Sequence, residues 1–323
     1  MEVWNESRVT EFTFMGFCGL GQCQRSLFWV FFIIYMTTLS GNLMIFNIIC
    51  IDVHLHEMPM YFFLANLSFL DICYTSAIMP KTLANLWAQT NTISHDGCLV
   101  QMFFFVLCTG AECILLTLMA YDRYVAVCHP LRYTTILSHR VCVLIAVSSW
   151  IGGILNSLLH TTMTARLSFC GPHEIQHYFC DVPPLIHLSC SDTYTNNVLL
   201  FVISMFLGLG PCVCIITSYA RILSAVMKIQ SSVGRSKAFS TCSSHLIVVI
   251  LFYATGFFIY VHPFLSSSRS TDVVVSVFYS IITPMINPMI YCFRNKEVKE
   301  SLRKAMQKRH GLRAGLSTSV WVK

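Results

Sequence analysis

Charge is what this 323-residue chain has least of: Asp, Glu, Lys and Arg together make up 11% of it. A soluble globular domain carries roughly 25%, so water cannot be the solvent around most of this chain. Internal repeats, low-complexity tracts and linkers long enough to separate domains are also missing. The lack of a repeat argues against a secondary transporter, whose two halves echo each other in sequence. The first 25 residues have no basic stretch leading into an apolar one, so a cleaved signal peptide is not expected and the first apolar run should serve as a signal-anchor. Nothing marks a nucleophile and its base. Ser244 and His245 stand side by side near the end of an apolar run, but adjacency alone does not make a catalytic pair, and an enzyme is not expected.

What the chain does have is apolar length. Uncharged runs cover 26–51, 141–165, 193–220, 238–268 and 273–293, each at least as long as the ~20 residues that cross a bilayer. Two more, 60–80 and 99–121, qualify but for one acid apiece, Asp71 and Glu112. The expected fold class is therefore an all-α membrane protein, a seven-transmembrane helix bundle. An odd count puts the termini on opposite sides. Five of the 21 Lys and Arg (Arg8, Arg25, Lys81, Arg166 and Arg269) fall on the N-terminal side and the other 16 on the opposite one. The positive-inside rule then places the C-terminus in the cytoplasm, giving a multi-pass plasma-membrane protein with an extracellular N-terminus. The net charge of +6 comes from this basic inner rim. It reads as contact with anionic lipid or a cytoplasmic partner, not with nucleic acid.

The domain reading is an extracellular stretch 1–25, a seven-span body 26–293, and a cytoplasmic helix and tail 294–323. In the tail, Val298, Leu302 and Met306 recur every four residues among Lys, Arg and Glu, the pattern of a short amphipathic helix lying on the inner leaflet. Between the fifth and sixth runs, 221–245 alternates basic and apolar residues, so both helices should extend past the bilayer. Asn5-Glu6-Ser7 is a glycosylation acceptor on the outer side. Asn66-Leu67-Ser68 has the same form but lies within a span, beyond the reach of the transferase. Of 16 cysteines, Cys98, Cys170, Cys180 and Cys190 fall outside, where they can oxidise. Four cysteines allow three pairings. Cys18 and Cys23 are outside too, with no partner assigned.

The polar residues inside the spans carry the chemistry. An acid at the centre of a span costs roughly 2.5–3.5 kcal/mol on insertion scales and usually faces a polar cavity. Asp71 and Glu112, with the amides of Asn42 and Asn287 at similar depth, form a candidate site for a small cation such as Na⁺; the bland alternative is a protonated, hydrogen-bonded network. Asp122-Arg123-Tyr124 ends the third span with an acid and a base side by side. Taken alone it is an interfacial anchor. Its company suggests a switch, because Pro211 and Tyr219 in the fifth span, and Asn287, Pro288 and Tyr291 in the seventh, mark helices that can bend.

Five stretches carry a resemblance: PMYFFLANLSFLDICYTS (59–76), MAYDRYVAVCHPLRY (119–133), SYARI (218–222), KAFSTCSSHL (237–246) and NPMIYCFRNKEV (287–298). Together they resemble the odorant (olfactory) receptors, within the rhodopsin-like class of G-protein-coupled receptors. The resemblance implies disulfides Cys98–Cys180 and Cys170–Cys190, a small volatile odorant as ligand, and signalling through a stimulatory G protein of the olfactory type to adenylyl cyclase and cAMP. It also implies roles for Arg123, Tyr219 and Tyr291 when the sixth helix swings outward. Two departures stand out. The family usually has one residue between Leu-His and Pro-Met-Tyr, whereas Glu57 and Met58 both stand there in this chain, and the tail runs past the usual short end.

Helix spacing puts Met102, Phe105, Val106, Thr109 and Cys113 on one face of the outer third span. The family's pocket is closed by Ile203 and Leu207 on the fifth, Tyr253, Gly256 and Tyr260 on the sixth, and Val277 and Ser280 on the seventh. Such a lining suits a small, mostly apolar molecule held by one or two hydrogen bonds; for any single residue, lipid contact or helix packing is an equal claim. Phe105 stands where amine receptors carry an acid, which argues against an amine ligand. His173, His177 and His187, with Cys180 and Asp181, look like a copper or zinc site. Metal needs the free thiolate, however, and Cys180 is expected to be oxidised, so no metal is expected there.

Overall fold

A computed structural model describes residues 9–17, 23–170, 173–260, 269–294, 298–304 and 307. Seven of its helices are long and apolar enough to cross a membrane. The first span is α1 (Cys23–Ile51). A short α2 (Val53–His56) follows, its start capped by Asp52, whose side chain accepts from the His54 N–H at 3.1 Å. The second span, α3 (Pro59–Ala88), has its proline in the first turn, where no amide hydrogen is needed. The doubled residue at Glu57 and Met58 is thus absorbed between α2 and α3, with Met58 as the N-cap of α3.

The third span is α4 (His95–Cys128), capped by the Ser94 side chain on the Gly97 N–H at 3.2 Å. After a 3₁₀ turn at Pro130–Arg132 and α5 (Tyr133–Ile136) comes the fourth span, α6 (His139–Ala165). A short α7 (Val182–Leu188) lies in the long connection that follows, on the side that the division of Lys and Arg makes outer. The fifth and sixth spans, α8 (Tyr194–Met227) and α9 (Ser232–Tyr260), both run past their apolar runs and leave only a short gap on the inner side. The seventh is α10 (Arg269–Val277), a π-helical turn at Phe278–Ile282 and α11 (Thr283–Arg294).

Within lipid every polar group must be satisfied by the protein. Thr37, Thr75, Thr109, Thr117, Ser149, Thr217 and Thr255 therefore turn their hydroxyls onto the carbonyl four residues earlier, at 2.6–3.0 Å. Proline removes one such donor. Pro288 leaves the Pro284 carbonyl without its helix partner, and Asn42 on α1 supplies it across the interface at 3.1 Å. A Cβ on Gly41 would sit 3.1 Å from the Pro288 ring, so glycine is what lets α1 and α11 come this close.

α4 lies at the centre. Over its most apolar stretch it is 67% buried, against 11% for α8. Against α6 the backbones nearly touch: a Cβ on Gly153 would lie 2.5 Å from the Leu107 carbonyl oxygen. Small residues drive such approaches where no water is present to expel. One turn further along α6, the Ser157 hydroxyl donates to the Phe103 carbonyl at 2.5 Å.

On the outer side, a three-stranded sheet has the order β2-β1-β3, with β1 (Glu11–Phe14), β2 (Thr92–Ser94) and β3 (Glu174–Ile175). β1 runs antiparallel to β2, pairing Phe12 with Ile93, and parallel to β3, pairing Phe14 with Ile175. The N-terminal segment thus knits the long outer connection to the bundle. Disulfides Cys98–Cys180 and Cys170–Cys190 are both formed, with Cα separations of 5.5 and 5.9 Å. At the other end residues 298–304 are helical. Val298 and Ser301 are buried and Leu302 packs on the core, while Lys299, Glu300, Arg303 and Lys304 face outward. The amphipathic pattern therefore seats on the bundle itself, where the Ser301 hydroxyl donates to Asp52 at 2.7 Å. That bond, aided by nearby backbone N–H groups, holds the Asp52 carboxyl below its usual range. Met306 and the tail from 308 on lie outside the described residues.

Candidate functional site

A cavity of about 130 Å³ opens between α4, α6, α8 and α9. Of the residues expected to surround a ligand, Val106, Thr109, Cys113, Ile203, Leu207, Tyr253, Gly256 and Tyr260 line it. Four do not. Met102 and Phe105 are fully buried in the core, because the outer connection folds in beside them. Phe105 meets Phe179 at 4.7 Å between ring centroids and Tyr74 at 5.2 Å. Ser280 is turned inward to bond the Tyr178 hydroxyl, and Val277 packs against the core away from the cavity. The π-helical turn inserts its extra residue immediately after Val277 and so changes the register that a regular helix would give this pair.

α6 supplies wall residues that the spacing argument did not reach, Asn156 and His160. They are four apart and hence on one face. That period was legible, but uncharged polar residues in an apolar run carry no mark of which neighbour they meet. None of the described lining residues is Lys, Arg, Asp or Glu. An apolar cavity of about 150 Å³ accepts a benzene-sized molecule, so this space suits a ligand of that order.

The outer connection roofs the cavity, with Val182 among the lining residues. Gln101 on α4 ties it down, its Oε1 accepting from the Cys180 N–H at 2.9 Å while its Nε2 donates to the Ala77 carbonyl at 3.1 Å. Asp181 caps α7 through the Val182 N–H at 2.7 Å and accepts from the Tyr260 hydroxyl of α9 at 3.0 Å. Burial raises the Asp181 carboxyl to about 6, against the pull of those two bonds. His177 bonds Ser276 of α10 at 2.8 Å, and burial lowers its imidazole to about 3. Cys180 is spent in its disulfide, and no cluster of three His, Cys, Asp or Glu suited to a metal exists among the described residues.

Deeper in the bundle, Asp71 and Glu112 are buried, 1% and 3% exposed. The Asn287 amide donates to both Asp71 oxygens, at 3.1 and 3.2 Å. Glu112 Oε1, Asn42 Oδ1 and Asn287 Oδ1 are buried with no hydrogen-bond partner. At the inner end of α4, Arg123 donates twice to Asp122 Oδ2, at 2.6 and 3.0 Å, and Asp122 Oδ1 accepts from the Tyr133 hydroxyl at 2.7 Å. Tyr124 turns the other way and bonds His129 at 3.1 Å. Tyr219 on α8 bonds His245 of α9 at 2.7 Å and stacks on its ring, so that histidine serves a helix–helix contact. Pro288 follows Asn287 in α11; the Tyr291 side chain, like Asn5 and Cys18, lies outside the described residues. Cys23 is a free, exposed thiol.

Seven spans, a lid stapled to the third, and an apolar cavity above a buried ion pair describe a receptor architecture, and the sequence says which. Residues 31–309 match the family described as Olfactory receptor. The chain belongs to the olfactory receptor family. It is 49% identical over 304 residues to Olfactory receptor 1G1 of Gorilla gorilla gorilla, covering 94% of this chain and 97% of that one. It is 47% identical to Olfactory receptor 5A2 of Homo sapiens, covering 96% of each. Olfactory receptor 5G29 of Mus musculus is 47% identical over 310 residues, covering 96% of this chain and 98% of that one. The protein is thus a multi-pass membrane receptor of the odorant class, and not an enzyme.

Proposed function

We propose that this odorant receptor takes a small, neutral, mostly apolar volatile molecule into the cavity between α4, α6, α8 and α9, and activates a stimulatory olfactory-type G protein that raises cAMP. One observation carries the reading: α4 holds both ends of the machine. Its outer half lines the cavity through Val106, Thr109 and Cys113, and its inner end carries the buried Asp122–Arg123 pair. A ligand that prefers one placement of α9 against α4 shifts the population toward it. When the inner end of α9 moves outward, the Tyr219–His245 bond must break, and Arg123, Tyr219 and Tyr291 regroup around a cleft for the G protein. A cAMP reporter screened with volatiles tests this. Arg123→Ala should abolish the response while surface labelling persists; an unchanged response refutes the role given to Arg123.

The N-terminus outside and C-terminus inside follow from the 5-to-16 division of Lys and Arg, with Asn5 as a glycan acceptor. Protease added to intact cells should leave a C-terminal tag uncut. The partnerless oxygens of Glu112, Asn42 and Asn287, the last of which bonds Asp71 through its amide, fit a hard cation, which takes oxygen ligands. We assign Na⁺ to these four residues; when bound it offsets the buried acid charge. Asp71→Asn should remove any difference between responses in sodium and in a sodium-free substitute, and identical wild-type responses in the two media would count against the site.

A further inference from the structure

We infer that Asn156 and His160 form the polar anchor of the cavity, and that the agonists carry one neutral oxygen function, a hydroxyl or a carbonyl, on a hydrocarbon body. This deepens the functional reading above and rests on the cavity being the ligand site. The polar side chains that the sequence suggested as handles are already spent. The Thr109 hydroxyl donates to the Phe105 carbonyl at 2.9 Å, Tyr253 to the Cys113 carbonyl at 2.9 Å, and Tyr260 to Asp181 at 3.0 Å. Asn156 and His160 are in a different condition. Neither makes a hydrogen bond, although His160 is only 4% exposed and Asn156 Oδ1 is fully buried without a partner.

A buried polar group left unpaired is costly, and two of them one turn apart on a cavity wall invite a ligand atom to pair with them. The facing helix leaves room for this. A Cβ on Gly110 of α4 would lie 3.1 Å from Asn156 Nδ2, so glycine there gives the amide its space.

The chemistry of the wall then selects the ligand. With no Lys, Arg, Asp or Glu in the lining, a carboxylate or an ammonium would lose its hydration and gain no counter-ion. A plain hydrocarbon would leave amide and imidazole as unpaired as before. A carbonyl accepts from the Asn156 amide or the imidazole N–H. A hydroxyl does the same and can also donate to the oxygen or ring nitrogen that lacks a proton.

The test uses the full-length receptor in cells, read by a G-protein activation reporter. The probes are alkanes, alcohols, aldehydes, ketones, carboxylic acids and amines of matched carbon number. Alcohols and carbonyl compounds should be the agonists. Asn156→Leu and His160→Leu should each raise their half-maximal concentration by about tenfold or more at unchanged surface level, with His160→Gln recovering part of the loss. Thr217→Ala, on α8 outside the cavity lining and bonded to the Val213 carbonyl of its own helix, should change little. Alkanes or charged homologues acting as well as the oxygenated probes would overturn the inference, as would Leu variants within about twofold of wild type or a loss at Thr217 as large as theirs. Gly256→Phe separates the two levels. A Cβ at Gly256 meets nothing within 4 Å, so the new side chain has room at its root, and its ring should fill the cavity and abolish every response. If the responses survive Gly256→Phe, the cavity reading itself falls and takes the anchor with it. If Gly256→Phe silences the receptor while the Leu variants do nothing, only the anchor falls.

Discussion

The third and fifth spans are each 34 residues long, yet their surroundings differ more than those of any other two: 67% of the most apolar stretch is buried in α4 and 11% in α8. α4 is held by close backbone approach to α6, by the Cys98–Cys180 bond, and by the Gln101 amide on the lid. α8 presents Phe206, Val213 and Ile216 outward, at 77%, 62% and 68% exposure. A Cβ at Gly208 or Gly210 would meet nothing within 4 Å, and Pro211 leaves the Leu207 carbonyl without its usual donor. The cavity lies between these two helices. A ligand there therefore has one wall that cannot yield and one that can, which is what a population shift requires.

The largest effect should come from filling the tight side. Gly153→Leu puts its first carbon against the Leu107 carbonyl. Overpacking costs typically ~1–3 kcal/mol, and the receptor should vanish from the surface; normal surface labelling would break the contrast. Next is the inner end. Asp122→Asn weakens the hold on Arg123 and Tyr133 and should raise signalling without odorant severalfold, read as basal cAMP. A basal level equal to wild type would mean that the pair does not restrain the receptor.

Acidity probes the roof. His177 is lowered from 6.5 to about 3, so it stays neutral in the folded lid while the unfolded lid takes up protons. Its contribution is complete above about 6.5 and is lost as pH falls towards 3. Asp181 acts the other way: raised from 3.8 to about 6, it gains the folded lid stability as pH falls through that window. The histidine is displaced further, so acidification should loosen the lid on balance. Lower hydrogen-exchange protection factors across the Cys180 region at pH 5 than at pH 7.5 would bear this out, and His177→Gln should reverse the sign. The smallest effect belongs to the open side. Gly210→Ala, outside the cavity lining, adds a methyl that meets nothing and should leave surface level and response within experimental scatter.

Most of this contrast could not be read from the amino acids, although the spans themselves could. Uncharged runs longer than a bilayer leave little choice of fold, and Asp71 and Glu112 announce a polar interior because an acid in lipid is costly. Depth within the bundle is another matter. The apolar runs of α4 and α8 look alike, since lipid and a protein core favour the same side chains. The same ambiguity explains the pocket. Helix spacing groups Met102 with Val106 on one face, but only the folded lid shows that Phe179 takes the space beside Phe105 and that Met102 is core while Val106 lines the cavity. Val277 precedes, and Ser280 lies within, a π-helical turn that apolar periodicity does not reveal. Asn156 and His160 passed unnoticed because uncharged polar residues in a span usually bond their own helix.

The most direct test of a fixed third span and a yielding side is a distance. Labels on unnatural amino acids at Leu131, 97% exposed, and Val233, 77% exposed, would report the gap between the inner ends next to α4 and of α9. Addition of an agonist should lengthen that distance by several ångströms, while a second pair linking the inner ends of α4 and α6 stays unchanged. A first distance that does not move at a saturating agonist concentration, or a second that moves as much, would contradict the account.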